Sequence, residues 1–244
     1  MKAMVLAAGY GSRLGSITKS KPKCLVDIGG STMLDFVLKQ LKKVGVTDVM
    51  INLYHLGDMI KDYVKSNDFG LNIHFSEETE LLGTGGGLQQ TYEFFKNEES
   101  FIVHNSDVFS NLDLMKLIKF HQIKKPLVTL AVMQRETSRQ LLFDEKDNLS
   151  GWENTSEGTG ETFGNSASHQ HLAFSGIQVI SPKIFDYMKE ETGAFSTMRI
   201  FMKSAKIGEE IKAFRMDDYY WIDMGTPSKL EELRTLLSNK EVHN

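Results

Sequence analysis

Two short segments near the start of the chain combine glycine with positive charge, a pattern suited to binding phosphate. Residues 6–14 (LAAGYGSRL) place Gly9 and Gly11 directly after an apolar run and include Arg13, and residues 21–23 (KPK) follow. Glycine lets a ligand approach backbone N–H groups closely, arginine can bridge two phosphate oxygens, and lysine acts as a movable point charge. These residues therefore predict a polyphosphate site.

The loop matches neither of two common nucleotide-binding motifs. A dinucleotide-binding fingerprint requires a third glycine at position 14, where the chain has Leu14. A Walker A loop would close with Gly-Lys-Ser or Gly-Lys-Thr, and the segment lacks that ending. Both motifs are disfavoured, although a dehydrogenase stays open as an alternative.

Two aspartates follow apolar runs that are typical of strands. Asp107 comes after residues 101–104, and Asp223 comes after residues 219–222. Because parallel strands end at the same edge of a sheet, we expect a parallel sheet to deliver both carboxylates to one crevice. Carboxylate oxygens are hard ligands that suit Mg²⁺, so the pair predicts a magnesium site.

The elements that must position these residues alternate between strand and helix. Strands are predicted over residues 3–6, 49–53, 71–75 and 101–104, and helices over residues 32–44, 59–64 and 112–120. Residues 83–87 are predicted to lead into a further helix that runs to about Phe95. This order predicts an α/β fold, with a mostly parallel, Rossmann-like mixed sheet between helices.

The pattern changes after Pro126. A strand over 127–133 and a hairpin of 140–143 with 149–152 are predicted, then a mobile surface loop over 155–170, which is rich in Gly, Ser and Thr. A strand over 172–180 and helices after Pro182 and Pro227 complete the chain. We expect a single domain in which residues after about 137 form a smaller mixed-sheet lid.

Composition excludes several classes of protein. The chain has 244 residues, 41% of them hydrophobic, and a formal net charge of -4, so it can bury a core but lacks the basic footprint of a nucleic-acid binder. Its single cysteine, Cys24, excludes intramolecular disulfides. Since no apolar run reaches the roughly 20 residues of a membrane helix, we expect a cytoplasmic protein with no membrane or nucleic-acid partner.

Residues 6–14 and 21–23 together resemble the signature of the sugar-phosphate nucleotidylyltransferases, which join a nucleoside triphosphate to a sugar 1-phosphate. The resemblance covers nearly the whole chain, with residues 82–87 (LGTGGG), 105–107 (NSD), 174–177 (FSGI) and 221–226 (WIDMGT) in the family's order. Within the family, the chain is most similar to short bacterial N-acetylmuramate 1-phosphate uridylyltransferases, with mannose- or heptose-1-phosphate guanylyltransferases close behind.

The resemblance implies one nucleotidylyltransferase domain over residues 1–244, with a nucleotide-binding half (1–136) and a sugar-binding half (137–244). Its partners would be a nucleoside triphosphate, a sugar 1-phosphate and Mg²⁺. The implied nucleotide-binding residues are Leu6, Ala7, Ala8, Gly9, Gly11, Ser12, Arg13, Gly85 and Gly86; the sugar-phosphate residues are Lys23, Asn105, Glu153 and Gly176; the metal ligands are Asp107 and Asp223. Arg13, Lys23 and Asp107 would carry catalysis.

The chain departs from the family at two places. Ser16 stands where proline is common, and no lysine near residues 152–155 matches one that contacts the sugar phosphate in some members. The specific hypothesis is uridylyl transfer to N-acetylmuramate 1-phosphate. The alternatives are guanylyl transfer to mannose or heptose 1-phosphate, cytidylyl transfer to phosphocholine, and a non-catalytic nucleotide-sugar sensor.

Other polar residues are given ordinary structural interpretations. Glu77 and Glu78 are predicted to form a solvated strand end rather than to bond the base. The seven histidines show no metal-ligand spacing, and His169 and His171 are interpreted as surface residues. Cys24 is expected to pack in the core.

Overall fold

Parallel strands form the centre of the molecule in the computed structural model, which describes residues 1–164 and 168–239. In chain order the strands are β1 (Lys2–Leu6), β2 (Asp48–Leu53), β3 (Asn72–Glu77), β4 (Phe101–Asn105), β5 (Val108–Ser110), β6 (Val128–Met133), β7 (Arg139–Phe143), β8 (Leu149–Asn154), β9 (Thr159–Thr162), β10 (Gln170–Ile180), β11 (Ile211–Arg215) and β12 (Trp221–Asp223). The α-helices are α1 (Met33–Lys43), α2 (Gly57–Lys65), α3 (Gly83–Gln89), α4 (Tyr92–Phe95), α5 (Leu114–Lys124), α6 (Thr197–Lys206) and α7 (Pro227–Ser238). Shorter 3-10 helices cover Ser12–Thr18, Lys23–Leu25 and Pro182–Tyr187.

The main sheet has the strand order β3-β2-β1-β4-β10-β6-β11. Neighbours from β3 to β4 are parallel, β10 runs antiparallel to both β4 and β6, and β11 is parallel to β6. In this register Leu6 pairs with Asn52 on one side and with Asn105 on the other. The predicted mostly parallel mixed sheet is thus confirmed, and three strands end level with one another.

A second sheet branches from the long strand β10. The first residues of β10 pair with β7, and β7 pairs with β8. The predicted hairpin of residues 140–143 and 149–152 is thus confirmed. The mobile loop predicted over residues 155–170 is wrong for part of its length, because β9 pairs with β8 and Gln170 begins β10. Every residue of β9 is exposed, so backbone pairing rather than burial forms this edge strand. Residues 165–167 of that prediction lie outside the described residues.

A two-stranded ribbon separate from the main sheet contains β5 and β12. The strands are antiparallel, with Asp223 opposite Val108. The prediction that a parallel sheet brings Asp223 next to Asp107 is therefore wrong about the kind of pairing. The chain turns after Asp107 to form β5, and β12 pairs with β5 in the antiparallel direction. Antiparallel pairing places the end of β12 next to the start of β5, so both aspartates still meet.

Helices cover the sheet because their apolar residues repeat at helical spacing. In α1, Leu34, Val37, Leu38 and Leu41 are fully buried, and each such side chain contributes roughly 1.5–3 kcal/mol. A capping box starts this helix, since Thr32 accepts a bond from the Asp35 amide and the Asp35 side chain accepts one from the Thr32 amide.

Two predicted helices differ in form from the expectation. The helix predicted to follow residues 83–87 already begins at Gly83 and is split into α3 and α4. A 3-10 helix rather than an α-helix follows Pro182. The helix after Pro227 is α7, with the proline in its first turn, where a missing N–H costs nothing. Over residues 1–164 and 168–239, no helix is both long and apolar enough to cross a membrane.

Candidate active site

A cleft of about 350 Å³ opens at the carboxyl ends of β1, β2 and β4. Its lining comes from the strand ends, from residues 6–14 at the end of β1 (the phosphate loop), from the start of α3 and from the turn after β12. The lining residues are Leu6, Ala7, Ala8, Gly9, Gly11, Ser12, Arg13, Lys23, Asn52, Leu81, Gly83, Thr84, Asn105, Ser106, Asp107 and Gly225. This is the place where open α/β sheets bind their ligands.

The phosphate loop is shaped by Gly11. This residue has a φ of 65°, in the left-handed region, and a β-carbon placed on it would lie 3.1 Å from Lys23 Cβ. Thr18 Oγ1 donates to the Gly11 carbonyl at 2.9 Å, which closes the loop over the following 3-10 helix. A side chain at position 11 would therefore strain the backbone and push Lys23 away from the cleft.

Lys23 and Asp107 form an ion pair inside the cleft. The Lys23 side chain is only 12% exposed and that of Asp107 is 26% exposed, so water screens the pair little. Ser106 stands between β4 and Asp107 and donates its amide to the Leu6 carbonyl at 3.1 Å. The phosphate loop and the aspartate turn are thus bonded directly to each other.

Asp223 reaches the same place from β12. The Met224 amide donates to the Asp107 carbonyl at 2.8 Å, and the Gly225 amide donates to Asp223 Oδ1 at 3.0 Å. A β-carbon on Gly225 would lie 2.7 Å from Asp223 Oδ1 and 3.1 Å from Arg13 Nη1. Arg13 and Asp107 therefore line one end of the cleft, and Asp223 lies at its edge beside Gly225.

The donor set at this end fits a magnesium ion. Mg²⁺ in nucleotide enzymes is commonly held by one or two carboxylates together with substrate phosphates and water, rather than by a complete protein cage. Asp107 and Asp223 supply the carboxylates, and the phosphate loop supplies a place for the phosphates. In the described part of the chain, no cluster of three or more His, Cys, Asp or Glu groups is arranged to hold a metal.

Glu78 is buried, with 7% of its surface exposed, so its prediction as a solvated strand end is wrong. Its Oε1 accepts from Asn52 Nδ2 at 2.7 Å, and its Oε2 accepts from the Leu82 amide at 2.9 Å. Asn52 Oδ1 in turn accepts from the Ala7 amide at 2.8 Å. This chain of bonds links the phosphate loop, β2 and the start of α3 below the floor of the cleft.

The glycine-rich start of α3 contributes Gly83 and Thr84 to the cleft, while Gly85 and Gly86 lie behind them. A β-carbon on Gly85 would lie 2.3 Å from Phe195 Cδ2, and the Gly85 amide donates to the Phe195 carbonyl at 2.8 Å. A β-carbon on Gly86 would lie 2.9 Å from the Gly193 carbonyl oxygen. Close packing against residues 193–196 accounts for both glycines, and their contact with a nucleoside stays a prediction.

The predicted sugar-side residues divide into two groups. Asn105 lines the cleft, and a β-carbon on Gly176 would lie 2.7 Å from Asn105 Nδ2, so these two residues are neighbours. Glu153 lies farther along, on β8, where its Oε1 is 2.7 Å from His171 Nδ1 on β10. Glu153 and Gly176 are not among the residues that line the cleft. Their sugar contacts stay predictions.

Sequence reasoning missed Arg135, which lies behind Asp223. Its guanidinium carbon is 4.2 Å from the centre of the Trp221 ring, and its Nη2 donates to the Phe174 carbonyl at 3.2 Å. Burial lowers the pKa of Arg135, and the nearby Asp223 carboxylate opposes this shift. An arginine just after an apolar strand was the available signal, but nothing local marks it as part of a site.

Two further groups next to the site are buried without charge. Complete burial lowers the pKa of His104 to about 4, so its ring is neutral at pH 7. Burial raises the pKa of the Cys24 thiol to about 12, which leaves it unreactive. Both residues act as packing beneath the cleft.

The structure brings most of the predicted site together. Leu6 to Gly9, Gly11 to Arg13, Lys23, Asn105 and Asp107 all line one cleft, and Asp223 is bonded to its edge. Lys21, named with Lys23 at the start, is exposed and lies outside the cleft lining.

The sequence matches the nucleotidyl transferase family over residues 2–240. It is 32% identical over 228 residues to D-glycero-alpha-D-manno-heptose 1-phosphate guanylyltransferase from Campylobacter jejuni, which covers 93% of this chain and 96% of that protein. It is 29% identical to mannose-1-phosphate guanyltransferase from Yarrowia lipolytica and 27% identical to UTP–glucose-1-phosphate uridylyltransferase from Synechocystis. The chain spans 61% and 65% of the lengths of these two longer relatives.

Solved structures share the fold over nearly the full chain. HddC from Yersinia pseudotuberculosis superposes with a TM-score of 0.78 at 24% identity, covering 97% of this chain and 99% of that one. UDP-glucose pyrophosphorylase bound to UDP-glucose gives a TM-score of 0.79 at 17% identity, with 98% and 99% covered. Because the family match covers residues 2–240 of this chain, the chain belongs to the nucleotidyl transferase family and is a sugar-phosphate nucleotidylyltransferase.

Proposed function

We propose that this enzyme transfers GMP from GTP to a sugar 1-phosphate of manno configuration, releasing pyrophosphate. The observation that carries the transfer is that Arg13, Lys23 and Asp107 line one cleft, with Asp223 at its edge beside Gly225. The choice of guanine and of a manno sugar is supported by the 32% identity to the heptose 1-phosphate guanylyltransferase, which this chain matches over 96% of its length. The names of the relatives above are those of heptose, mannose and glucose 1-phosphate enzymes, so guanylyl transfer replaces uridylyl transfer to N-acetylmuramate 1-phosphate as the first hypothesis.

Because both substrates are anions, the main obstacles to the reaction are their mutual repulsion and the need to align them. An oxygen of the sugar phosphate attacks the α-phosphorus, a new P–O bond forms, and the bond between the α- and β-phosphates breaks with its electrons leaving on pyrophosphate. The acceptor phosphate is already ionised near neutral pH, with a second pKa near ~6 as in phosphorylated side chains. The enzyme therefore needs no general base, and catalysis rests on alignment and electrostatic stabilisation.

Each charged residue then has a role. Arg13, at the rim, holds the β- and γ-phosphates with its forked guanidinium, helped by the loop amides around Gly9 and Gly11. Lys23 is held by Asp107 beside the transferred phosphate, where it stabilises charge that develops at the α-phosphoryl oxygens. Asp107 and Asp223 would hold Mg²⁺, which supplies neutralisation of phosphate charge when bound.

The test is a matrix of substrates with pyrophosphate release as the readout, in the presence of Mg²⁺. GTP, UTP, CTP, ATP and dTTP are each paired with mannose, heptose, glucose and N-acetylmuramate 1-phosphates and with phosphocholine. We expect GTP with a manno sugar phosphate to give the highest kcat/KM. Uridylyl transfer to glucose 1-phosphate is the second candidate, because a glucose-1-phosphate uridylyltransferase is among the relatives. Nucleotide-sugar binding without turnover of any pair would instead identify a sensor.

A further inference from the structure

Lys23 and Asp107 pair with each other inside the cleft, although the transfer reaction gives each of them another partner. The Lys23 ammonium contacts Asp107 Oδ2, and both residues line the cleft. The proposed function assigns Asp107 to the metal and Lys23 to the α-phosphoryl oxygens. A carboxylate oxygen that accepts from an ammonium is less available to a metal, so the ion pair and the metal centre compete for the same side chain.

The backbones of both partners are anchored, so the pair opens by rotation of side chains. Lys23 begins a 3-10 helix in which the next two residues, Cys24 and Leu25, are buried. The Asp107 carbonyl accepts from the Met224 amide at 2.8 Å. Because lysine carries its charge on a flexible four-carbon stem, the ammonium can leave Asp107 and still remain in the cleft.

Arg13 differs from Lys23 in its availability to a triphosphate. Arg13 is exposed, and across residues 1–164 and 168–239 no carboxylate oxygen lies within 4.0 Å of its guanidinium. The Lys23 side chain is only 12% exposed and is paired. A triphosphate can therefore bind Arg13 without breaking an ion pair, whereas Lys23 becomes available when Asp107 gains another cation.

The charges at this end of the cleft cancel. Arg13 and Lys23 carry two positive charges, and Asp107 and Asp223 carry two negative ones. A divalent cation binds where negative charge is in excess, and here it would meet the repulsion of Lys23 beside its own ligand. A nucleoside triphosphate adds negative charge, which attracts the metal and offers the Lys23 ammonium a new partner.

We propose that Lys23 is the counter-ion that a divalent metal displaces from Asp107, so that the metal centre assembles together with the phosphates of the nucleotide. The inference rests on the proposed function, since it takes Asp107 as a metal ligand of the transfer reaction. Lys23 then passes from the carboxylate to a phosphate oxygen. Its charge reaches the transferred group at the stage when the metal takes its place on Asp107.

Metal binding without nucleotide tests this exchange independently of turnover. Mn²⁺ stands in for Mg²⁺, and the EPR signal of the free ion gives the binding isotherm. Lys23→Met removes the charge and keeps an unbranched side chain, and Lys21→Met is the matched control at an exposed position outside the cleft lining. We expect Lys23→Met to tighten Mn²⁺ binding by roughly 10- to 100-fold, equivalent to the one to two pKa units by which a neighbouring charge shifts a carboxyl group. Lys21→Met should change the affinity by less than about twofold, because water screens an exposed charge.

Asp107→Asn identifies the metal that is being counted. Added to Lys23→Met, it should abolish the gain in Mn²⁺ binding. Made in the wild type, it should leave the isotherm unchanged up to about 1 mM Mn²⁺, because Lys23 already holds that carboxylate. Lys23→Arg keeps the charge and should keep the weak wild-type affinity, whereas Lys23→Gln should reproduce the gain and separates loss of charge from a packing defect of the methionine.

The outcomes distinguish the exchange from the proposed function. Unchanged or weaker Mn²⁺ binding in the folded Lys23→Met or Lys23→Gln protein would overturn the exchange and leave Lys23 as a residue that positions Asp107. An equal gain in Lys21→Met, or Mn²⁺ binding by the wild type that Asp107→Asn removes, would overturn it as well. A gain that is specific to Lys23, in a protein that turns over no substrate pair, would overturn the proposed function and keep the competition at Asp107.

Discussion

Replacing Glu78 with glutamine should destabilise the protein even though the two side chains have the same shape. Glu78 accepts bonds from Asn52 Nδ2 and from the Leu82 amide, and Asn52 Oδ1 accepts from the Ala7 amide. The two ends of this chain are backbone N–H groups, which can only donate. A carboxylate satisfies every link because both of its oxygens accept.

Glutamine cannot satisfy the same set of donors. Its amide carries one oxygen and one NH₂ group, so the NH₂ faces either Asn52 Nδ2 or the Leu82 amide. Rotating the Asn52 amide moves the conflict to the Ala7 amide without removing it. One buried donor therefore faces another donor in every arrangement, which costs about 1–3 kcal/mol of unfolding free energy.

Glu77→Gln is the matched control for this prediction. Glu77 is the preceding residue, its side chain is 68% exposed, and its ion pair with Lys61 at 2.7 Å lies at the surface, where such pairs contribute about 0–1 kcal/mol. Urea unfolding should show a loss of about 1–3 kcal/mol for Glu78→Gln with an unchanged dependence on urea concentration. The triphosphate KM should also rise, because Asn52 lines the cleft and holds Ala7. Equal stability of the two variants would refute the reasoning.

Two further predictions concern packing and pH. Gly85→Ala places a β-carbon 2.3 Å from the Phe195 ring and 2.9 Å from the Ser196 carbonyl carbon, so overpacking should lower the unfolding free energy by about 1–3 kcal/mol; an unchanged stability with a raised triphosphate KM would instead favour the predicted nucleoside contact. Burial lowers the pKa values of His104 and His121 to about 4, below the roughly 6.5 of an unfolded histidine, so the stability that each contributes is complete above pH 6.5 and is lost as the pH falls toward 4. At pH 5 each of these two histidines should lower the unfolding free energy by about 2 kcal/mol. In urea unfolding, His121→Gln should remove about half of the loss of stability between pH 8 and pH 5, and an unaltered loss would exclude His121 as a cause.

Local patterns in the sequence predicted the parallel part of the fold well. The strands β1, β2 and β4 are short, largely apolar runs, β3 alternates polar and apolar residues, and α1 has the spacing, the cap and the terminal glycine that mark a helix. These signals are local because each element buries one defined face or both faces. The level ends of three parallel strands then follow from the α/β order itself.

The elements that were missed depend on contacts between distant segments. β5 has three residues and exists because β12 returns along it, and β9 is a polar edge strand held by pairing with β8. The burial of Glu78 depends on donors from Asn52 and Leu82, which no run of residues around Glu78 reveals. Arg135 was missed for the same reason, since its partners lie on β10 and beside Asp223.

The site residues came from motifs, and the structure adds why several of those motifs exist. The glycines at 85 and 86 fit against residues 193–196, whereas the sequence alone favoured a role next to the base and ribose. The aspartates meet through an antiparallel ribbon, whereas strand order suggested a shared parallel edge.

The most direct test of the account is pyrophosphate release by the wild type, Asp107→Asn, Asp223→Asn and the double variant, with the best substrate pair and Mg²⁺. If both carboxylates serve one centre, each single change should lower kcat by roughly 10²–10³, and the double variant should lose little more than either one. Losses that multiply in the double variant, or a single variant with wild-type turnover, would contradict a shared site for Asp107 and Asp223.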